Sequence, residues 1–328
     1  MTKRVALAIV LAAGALALSA CGNTGNPETV STAVTSEAEP AVELETPDVR
    51  QLARVFVEKV SAVESCEQEL SLDLDMEIAA QGESIKIQLT SNTLTRFTKD
   101  PYVAKAQSTV EVKSGNGDPI LASHETYTEK TGENQYIIYN KAGEEEDAGW
   151  SKTAVELPDS STDILDHKLF EAIERGETEA ALSPETETVE GKVCFMVETY
   201  LSGDETGEAA VTANSILAQF GYPEEMYAED LFKDIKVPAK YWIDVETGLP
   251  VKSEQDMSQA MGRIMNSVIN ALASSGEGTT GSESTSGLPF DIEITSNKCV
   301  AQILYRDFDA IGEILIPEEV RNAETAEY

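Results

Sequence analysis

The clearest pattern along the chain is a strict alternation of apolar and polar side chains that begins at Leu70. Since neighbouring side chains of a strand point to opposite faces, this alternation predicts a β-strand with one buried and one acidic, solvated face. After a turn at Gln81-Gly82 the alternation resumes, which predicts a hairpin partner. The apolar positions of the two strands are Leu70, Leu72, Leu74, Met76, Ile78, Ile85, Ile87 and Leu89.

Further strand-like runs follow at close spacing, with glycine- and asparagine-rich turns between them. We locate these runs near residues 93–97, 103–112, 120–128, 135–140 and 150–155. Short strands joined by tight turns are typical of an antiparallel meander. Later runs at 193–200, 290–294 and 300–306 indicate more strands.

Helical periodicity marks fewer segments. Residues 46–48 are threonine, proline and aspartate, a typical helix start, and apolar residues then recur at three- and four-residue steps. This spacing predicts a helix to about Ser65 with one buried stripe that contains Phe56. Similar steps predict helices over 159–175, 209–220 and 261–273, and a short one after Pro223.

The N-terminal 21 residues have the features of an export signal. Lys3 and Arg4 precede an apolar run that is shorter than the roughly 20 residues of a transmembrane helix. The residues Leu18-Ser19-Ala20-Cys21 resemble a bacterial lipobox. That resemblance implies cleavage between Ala20 and Cys21 and a diacylglyceryl anchor on Cys21, which would hold the protein on the extracytoplasmic face of a cell membrane. The alternative is an ordinary signal peptide with an incidental cysteine.

Composition divides the remaining chain. Residues 21–45 are rich in Thr, Ser, Glu, Pro and Gly, which predicts a disordered tether. A single domain is expected over 46–320, interrupted by a flexible Gly/Ser/Glu/Thr loop at 274–287. Ile314 to Pro317 is expected to end the ordered chain, and 321–328 to form a polar tail.

Residues 241–252 place a glycine turn between Tyr241-Trp242-Ile243-Asp244 and Leu249-Pro250-Val251-Lys252, which predicts a hairpin. The segment resembles a signature of the LolA/LolB-like carriers and the related LppX-type lipoproteins. The order of elements is also similar to that of an uncharacterised group of Gram-positive lipoproteins with the same fold. The resemblance implies an α+β fold, in which a curved antiparallel β-sheet, a half-barrel meander, carries helices packed on its concave face.

The resemblance also implies a function, since carriers of this shape bind a lipid or other apolar ligand in the concavity. The residues expected to line such a cavity are Leu70, Leu72, Leu74, Met76, Ile78, Ile85, Ile87, Leu89, Phe56 and Trp242. The same alternation is expected of a sheet whose core is filled by its own side chains. The protein would then be an interaction or sensing module of the cell envelope, with an enzyme as the third possibility.

The net charge and the absence of known motifs argue against several classes of function. The formal net charge of −35 argues against nucleic-acid binding, because phosphate recognition needs clustered Lys and Arg. The sequence has no glycine-rich phosphate loop, nucleophile elbow or zinc-protease motif. We therefore predict no catalytic residue, no metal site and no cofactor, and we expect a protein that is not an enzyme.

Three cysteines remain beside Cys21, namely Cys66, Cys194 and Cys299, and none is part of a Cys-x-x-Cys motif. Three thiols allow at most one internal disulfide. Because each lies in an apolar strand-like run, buried free thiols are the leading interpretation.

Overall fold

The computed structural model describes residues 47–80, 83–115, 117–142, 149–156, 165–202, 236–263 and 292–325. These residues contain helices α1 (Val49–Ser61), α2 (His167–Arg175) and α3 (Glu318–Arg321), and residues 258–263 are also helical. None of the helices in these ranges is long and apolar enough to cross a membrane. The predicted signal, with Ala20 and Cys21, the tether at 21–45, the helix at 209–220 and the loop at 274–287 lie outside the described residues.

Thirteen strands in the described ranges form one open sheet. They are β1 (Ser65–Ala80), β2 (Glu83–Lys99), β3 (Tyr102–Ser114), β4 (Ile120–Gly132), β5 (Gln135–Ala142), β6 (Ser151–Glu156), β7 (Ala180–Leu182), β8 (Glu187–Val189), β9 (Lys192–Ser202), β10 (Lys236–Asp244), β11 (Pro250–Asp256), β12 (Ile292–Arg306) and β13 (Glu324–Thr325).

The strand order across the sheet is β13-β6-β5-β4-β3-β2-β1-β12-β11-β10-β9-β7, and β8 also pairs with β9. Neighbours are antiparallel except β13 and β6, which run parallel. The predicted α+β fold built on a curved antiparallel sheet is confirmed, with this one parallel pair as an addition. The strands from β1 to β6 form the expected meander, and β12 joins the other half of the sheet to β1.

The alternating segment forms β1, as predicted. Its partner β2 is longer than expected, since it continues to Lys99 and includes the run that the pattern placed separately at 93–97. Leu74 lies opposite Leu89 on β2 and opposite Cys299 on β12. The apolar positions of three adjacent strands therefore lie on the same side of the sheet.

We call the side of the sheet that carries α1 and α2 the inner face, and the other side the outer face. Leu52 and Phe56 of α1 and Leu169 and Phe170 of α2 are buried in one cluster with the apolar residues of β1. Helix α1 begins at Val49, and the carboxylate of its cap Asp48 accepts a hydrogen bond from the Arg50 amide at 3.2 Å. Thr46, the first residue of the expected helix start, lies outside the described range.

The acidic side chains of β1 lie on the outer face, where basic residues of the adjacent strands pair with them. Arg96 of β2 donates to Glu67 at 2.7 Å, and Lys298 of β12 lies 2.5 Å from Asp73. Arg306 of β12 pairs with Glu69. The pair of Lys298 and Asp73 is exposed on both sides, and an exposed pair contributes only about 0–1 kcal/mol. The main effect of the three pairs is to keep this central part of the outer face polar.

The C-terminal segment corrects the expectation of a polar tail. Val320 and Ala323 are buried on the outer face beside Tyr127 and Tyr139, and β13 pairs with β6. Arg321 also forms an ion pair with Glu129 at 2.9 Å. The two buried residues, the ion pair and the pairing of β13 with β6 together hold the chain against the sheet as far as residue 325.

Candidate functional site

Most of the predicted lining residues lie together on the inner face. Ile78 is partly buried at the border of the inner-face cluster, and Ile85 is exposed. The buried members of the set are Phe56, Leu70, Leu72, Leu74, Met76, Ile87 and Leu89. These seven residues are therefore core residues on one face of the sheet.

The predicted lining is corrected at Trp242, which lies on the outer face. Its chain neighbours Tyr241 and Ile243 belong to the inner-face cluster, and adjacent residues of a strand point to opposite sides. The Trp242 indole Nε1–H donates to the Glu187 carboxylate at 2.8 Å, and Lys252 Nζ lies 4.5 Å from the ring centroid. Trp242 is thus held in a small separate cluster with Cys194, Met196 and Val251.

Aromatic side chains fill the inner face beneath the helices. The rings of Phe56 and Phe170 stack with centroids 3.8 Å apart, and Tyr241 of β10 meets Phe170 edge-on at 5.0 Å. All three are almost completely buried. Packing of this density leaves no space for a guest between these three rings.

Beside this filled region, the inner face carries a group of small hydroxyl residues. We call it the hydroxyl island, and its members are Ser91, Thr93, Thr95 and Ser108. All four are buried, although the strand rows on either side of them are largely apolar. The strand register places Thr93 between Leu70 of β1 and Ser108 of β3, and Thr95 opposite Gln68.

Two members of the island have unsatisfied hydroxyl groups. Thr93 is 2% exposed and Thr95 is 7% exposed, yet the Oγ1 atoms of both residues lack a hydrogen-bond partner in the described part of the chain. A buried hydroxyl without a partner costs about 1–3 kcal/mol. The inner face therefore holds two buried hydroxyl groups that find no hydrogen-bond partner among the described residues.

Past the island, the inner face is apolar and becomes progressively exposed. Leu89 of β2, Val112 of β3 and Ile120 of β4 form one row across three strands. Leu89 is buried, Val112 is partly buried and Ile120 is 62% exposed. With Ile85 this row forms what we call the apolar end of the inner face. It is accessible from solvent at β4.

His124 borders the island on β4, opposite Ser108. Partial burial lowers the pKa of the His124 imidazole below its usual value of 6.5, so this side chain is neutral at pH 7. The inner-face residues around Thr93 and Thr95 in the strand register are Gln68, Leu70, Ala106, Ser108, His124 and Thr126. None of them carries a charge at neutral pH.

Other parts of the described ranges are weaker candidates for a functional site. A groove of about 350 Å³ lies at the β7–β9–β10 edge, where Lys240 and Glu198 approach to 3.4 Å. No group of His, Cys, Asp and Glu among the described residues is arranged to hold a metal ion. The three cysteines are buried free thiols, as expected, and burial raises the pKa of Cys66 and Cys299 to about 12 and that of Cys194 to about 11.

The sequence indicated the apolar strand residues but not the hydroxyl island. The sequence does contain a pattern that indicates it. Ser91, Thr93 and Thr95 occupy every second position after Ile87 and Leu89, so they lie on the same face of β2. Continuing the alternation past Leu89 would have placed these hydroxyls on the buried face.

No family model matches the chain, and no curated protein matches it. Among solved structures, it is similar to the lipoprotein LppX of Mycobacterium tuberculosis, at a TM-score of 0.35 and 10% identity over 81% of this chain and 97% of that one. It is also similar to LprF from Mycobacterium bovis, at a TM-score of 0.38 and 11% identity over 84% and 98%. A DUF1329 family protein from Desulfovibrio piger gives a TM-score of 0.23 and 11% identity over 80% and 92%.

Proposed function

We propose that this protein is a membrane-anchored lipoprotein of the cell envelope that binds a lipid or another apolar ligand on its inner face. The observation that carries the proposal is the apolar row from Leu89 through Val112 to Ile120. This row continues beyond the region that Phe56 and Phe170 fill, and it ends at a side chain that is largely exposed. It provides an apolar surface with an open edge.

The physical reason is the cost of exposing an acyl chain to water. An acyl chain leaves a bilayer readily only if an equally apolar surface receives it, and burial stabilises by about 25 cal/mol per Å². Ile85 and Ile120 are the exposed members of the apolar end, so an incoming chain contacts them first. Buried Leu89 and Ile87 then continue the same surface inwards.

The anchor belongs to the same proposal. The lipobox-like residues that end at Cys21 support a diacylglyceryl group on that cysteine, and residues 21–45 support a flexible tether. A flexible tether of this length has an r.m.s. reach of roughly 25–30 Å. That reach lets the apolar end approach the membrane surface without releasing the protein from it.

The anchor is tested by changing Cys21→Ser. The protein should then leave the membrane fraction, and the wild-type mature chain should begin at residue 21. A variant that stays in the membrane fraction, together with a mature N-terminus elsewhere, contradicts the anchor without touching the proposal for the inner face.

One observation favours a second function, that of an interaction or sensing module without a ligand. Phe56, Phe170 and Tyr241 fill the inner face beneath α1 and α2 as a solid core does. If the filled region continued over the whole inner face, the protein could act only through its surface.

Ligand binding is tested by native mass spectrometry with solvent extraction of the mature protein, purified from its own membrane. We expect one lipid species to co-purify at a defined stoichiometry. If no guest is found, and the purified protein does not bind a fluorescent fatty acid, the interaction module becomes the better account.

A further inference from the structure

We infer that a groove on the outer face of the sheet binds the sugar rings of a neutral glycan. The groove lies where β7, β9 and β10 meet near the edge of the sheet, and its volume is about 350 Å³. Volumes of about 300–1,000 Å³ are typical of small-molecule sites. This second site goes beyond the proposed function, because it takes a different class of ligand on a different face.

The side chains around the groove lie on the outer face. Ala239 of β10 belongs to the inner-face cluster, so its chain neighbours Pro238 and Lys240 lie on the opposite side. The strand register places Tyr200 opposite Pro238 and Glu198 opposite Lys240. A ligand in the groove therefore does not compete with one on the inner face.

The groove offers a flat apolar surface to a ligand. The side chains of Tyr200, Pro238 and Ala181 line it, and Tyr200 is 46% exposed. The face of an aromatic ring is electron-rich and attracts the slightly positive C–H groups on one side of a sugar ring. Tyr200 can therefore act as a platform on which a sugar ring stacks, with the hydroxyls of the sugar directed towards the rim.

The charged groups at the rim balance one another. Lys240 Nζ lies 3.4 Å from the Glu198 carboxylate, and both side chains are about half exposed. Lys236 Nζ lies 5.8 Å from the centroid of the Tyr200 ring, and the Glu179 carboxylate has no ion-pair partner among the described residues. Two cations thus face two carboxylates, although the formal net charge of the chain is −35. The groove does not select a ligand by net charge.

The mixture of donors and acceptors at the rim suits hydroxyl groups. An ammonium group only donates hydrogen bonds and a carboxylate only accepts them, whereas a hydroxyl does both. Neighbouring hydroxyls of one sugar ring can therefore accept from Lys240 and donate to Glu198. An exposed ion pair contributes little to stability, so a ligand can separate the two groups readily. Thr199 Oγ1 donates to the main-chain carbonyl of Glu179 at 2.8 Å, which fixes this side of the groove in advance.

The test uses saturation-transfer difference NMR, which detects weak binding through the signals of the ligand. Three neutral disaccharides, cellobiose, maltose and N,N′-diacetylchitobiose, are each added to the mature wild-type protein. The variant Tyr200→Ser removes the platform, and Tyr200→Phe keeps it. Leu121→Ser is the matched control, because Leu121 is an exposed apolar residue of the outer face on β4.

We expect wild type to bind at least one disaccharide, with the strongest transfer to its ring C–H protons. Tyr200→Ser should weaken binding at least fivefold, because a stacking contact is worth up to about tenfold in affinity. Glu198→Ala should weaken it about fivefold through a lost hydrogen bond. Tyr200→Phe and Leu121→Ser should stay within about twofold of wild type. All four changes are at exposed side chains and should leave the melting temperature unchanged.

Three results overturn the inference. They are no binding of any of the three disaccharides, equal binding by wild type and Tyr200→Ser, and tighter binding of glucosamine or gluconate than of every disaccharide. Binding of a fluorescent fatty acid, measured on the same proteins, separates this site from the proposed function. Tyr200→Ser should not change it, and its absence in wild type would contradict the proposed function alone.

Discussion

Phe56 of α1 stacks on Phe170 of α2, with ring centroids 3.8 Å apart and ring planes inclined by 24°. Neither side chain has measurable exposure, and more than a hundred residues of sequence separate them. The contact joins the two helices over one part of the inner face. The row that ends at Ile120, where we propose that a ligand binds, lies outside this contact.

The stacked pair should be central to stability. We expect Phe170→Ala to lower the free energy of unfolding by about 3–5 kcal/mol, because it leaves a cavity beside Phe56 and Tyr241. Urea unfolding measures this change. Leu315→Ala is the control, since Leu315 is 71% exposed and should cost no more than about 0.5 kcal/mol. Equal small effects of both changes would show that α2 does not belong to the core.

The two faces of β1 should respond very differently to a change of charge. Leu72→Asp or Leu74→Asp puts an unpaired carboxylate into the inner-face cluster and should cost several kcal/mol or prevent folding. Asp73→Asn removes only an exposed ion pair with Lys298, which is worth about 0–1 kcal/mol. Thermal and urea unfolding of the three variants test this, and comparable losses on both faces would contradict the assigned register.

The turn between β10 and β11 should tolerate no side chain at Gly248. Its φ is +73°, and a Cβ there would lie 2.8 Å from Val55 Cγ1 of α1. Gly191→Ala is the matched control, because Gly191 has φ +77° and open space around the added carbon. Both variants should lose about 1–2 kcal/mol to backbone strain.

Gly248→Ala should lose more than the control, and Val55→Ala in the same chain should remove the excess. A double-mutant cycle by urea unfolding measures this coupling. Identical losses for Gly248→Ala and Gly191→Ala would mean that the turn does not pack against α1.

The buried thiols should make stability fall at alkaline pH. Burial raises the pKa of Cys66 and Cys299 in the folded chain to about 12, from 9.0 for the free group. The unfolded chain therefore loses these protons first, so their stabilising contribution is complete below pH 9 and declines as pH rises from about 9 to about 12. Urea unfolding between pH 8 and pH 10.5 should show a shallower decline for Cys66→Ala/Cys299→Ala than for wild type. Parallel pH profiles would contradict the assigned burial.

The alternation at Leu70 to Ile78 was sufficient to predict β1 and its faces, because every apolar residue there has a polar neighbour. The same reasoning did not place Trp242. Tyr241, Trp242 and Ile243 are consecutive apolar residues, and both faces of β10 are buried there, so no polar residue marks the outer face. The face on which each residue of a strand lies can be predicted from the sequence only where one face is apolar and the other is polar.

Local sequence patterns also could not predict which strands that are distant in sequence pair with each other. The pairing of β1 with β12 brings Leu70 opposite Ile303, and nothing near either residue indicates its partner. The ordered C-terminal segment was missed because Val320 and Ala323 are its only buried apolar residues after Pro317 in the described range, which ends at Thr325. Two apolar residues in a charged stretch give no periodic signal.

The most direct test of the central claim uses two adjacent residues of β4 that lie on opposite faces. Ile120 is 62% exposed on the inner face and Leu121 is 71% exposed on the outer face, so a charge at either position should leave the fold intact. Binding of a fluorescent fatty acid is measured for wild type, Ile120→Asp and Leu121→Asp. We predict an affinity at least tenfold weaker for Ile120→Asp and within about twofold of wild type for Leu121→Asp, since a buried charge opposes an acyl chain only on the inner face. Equal affinities for the two variants, or no binding by wild type, would contradict a ligand site on the inner face.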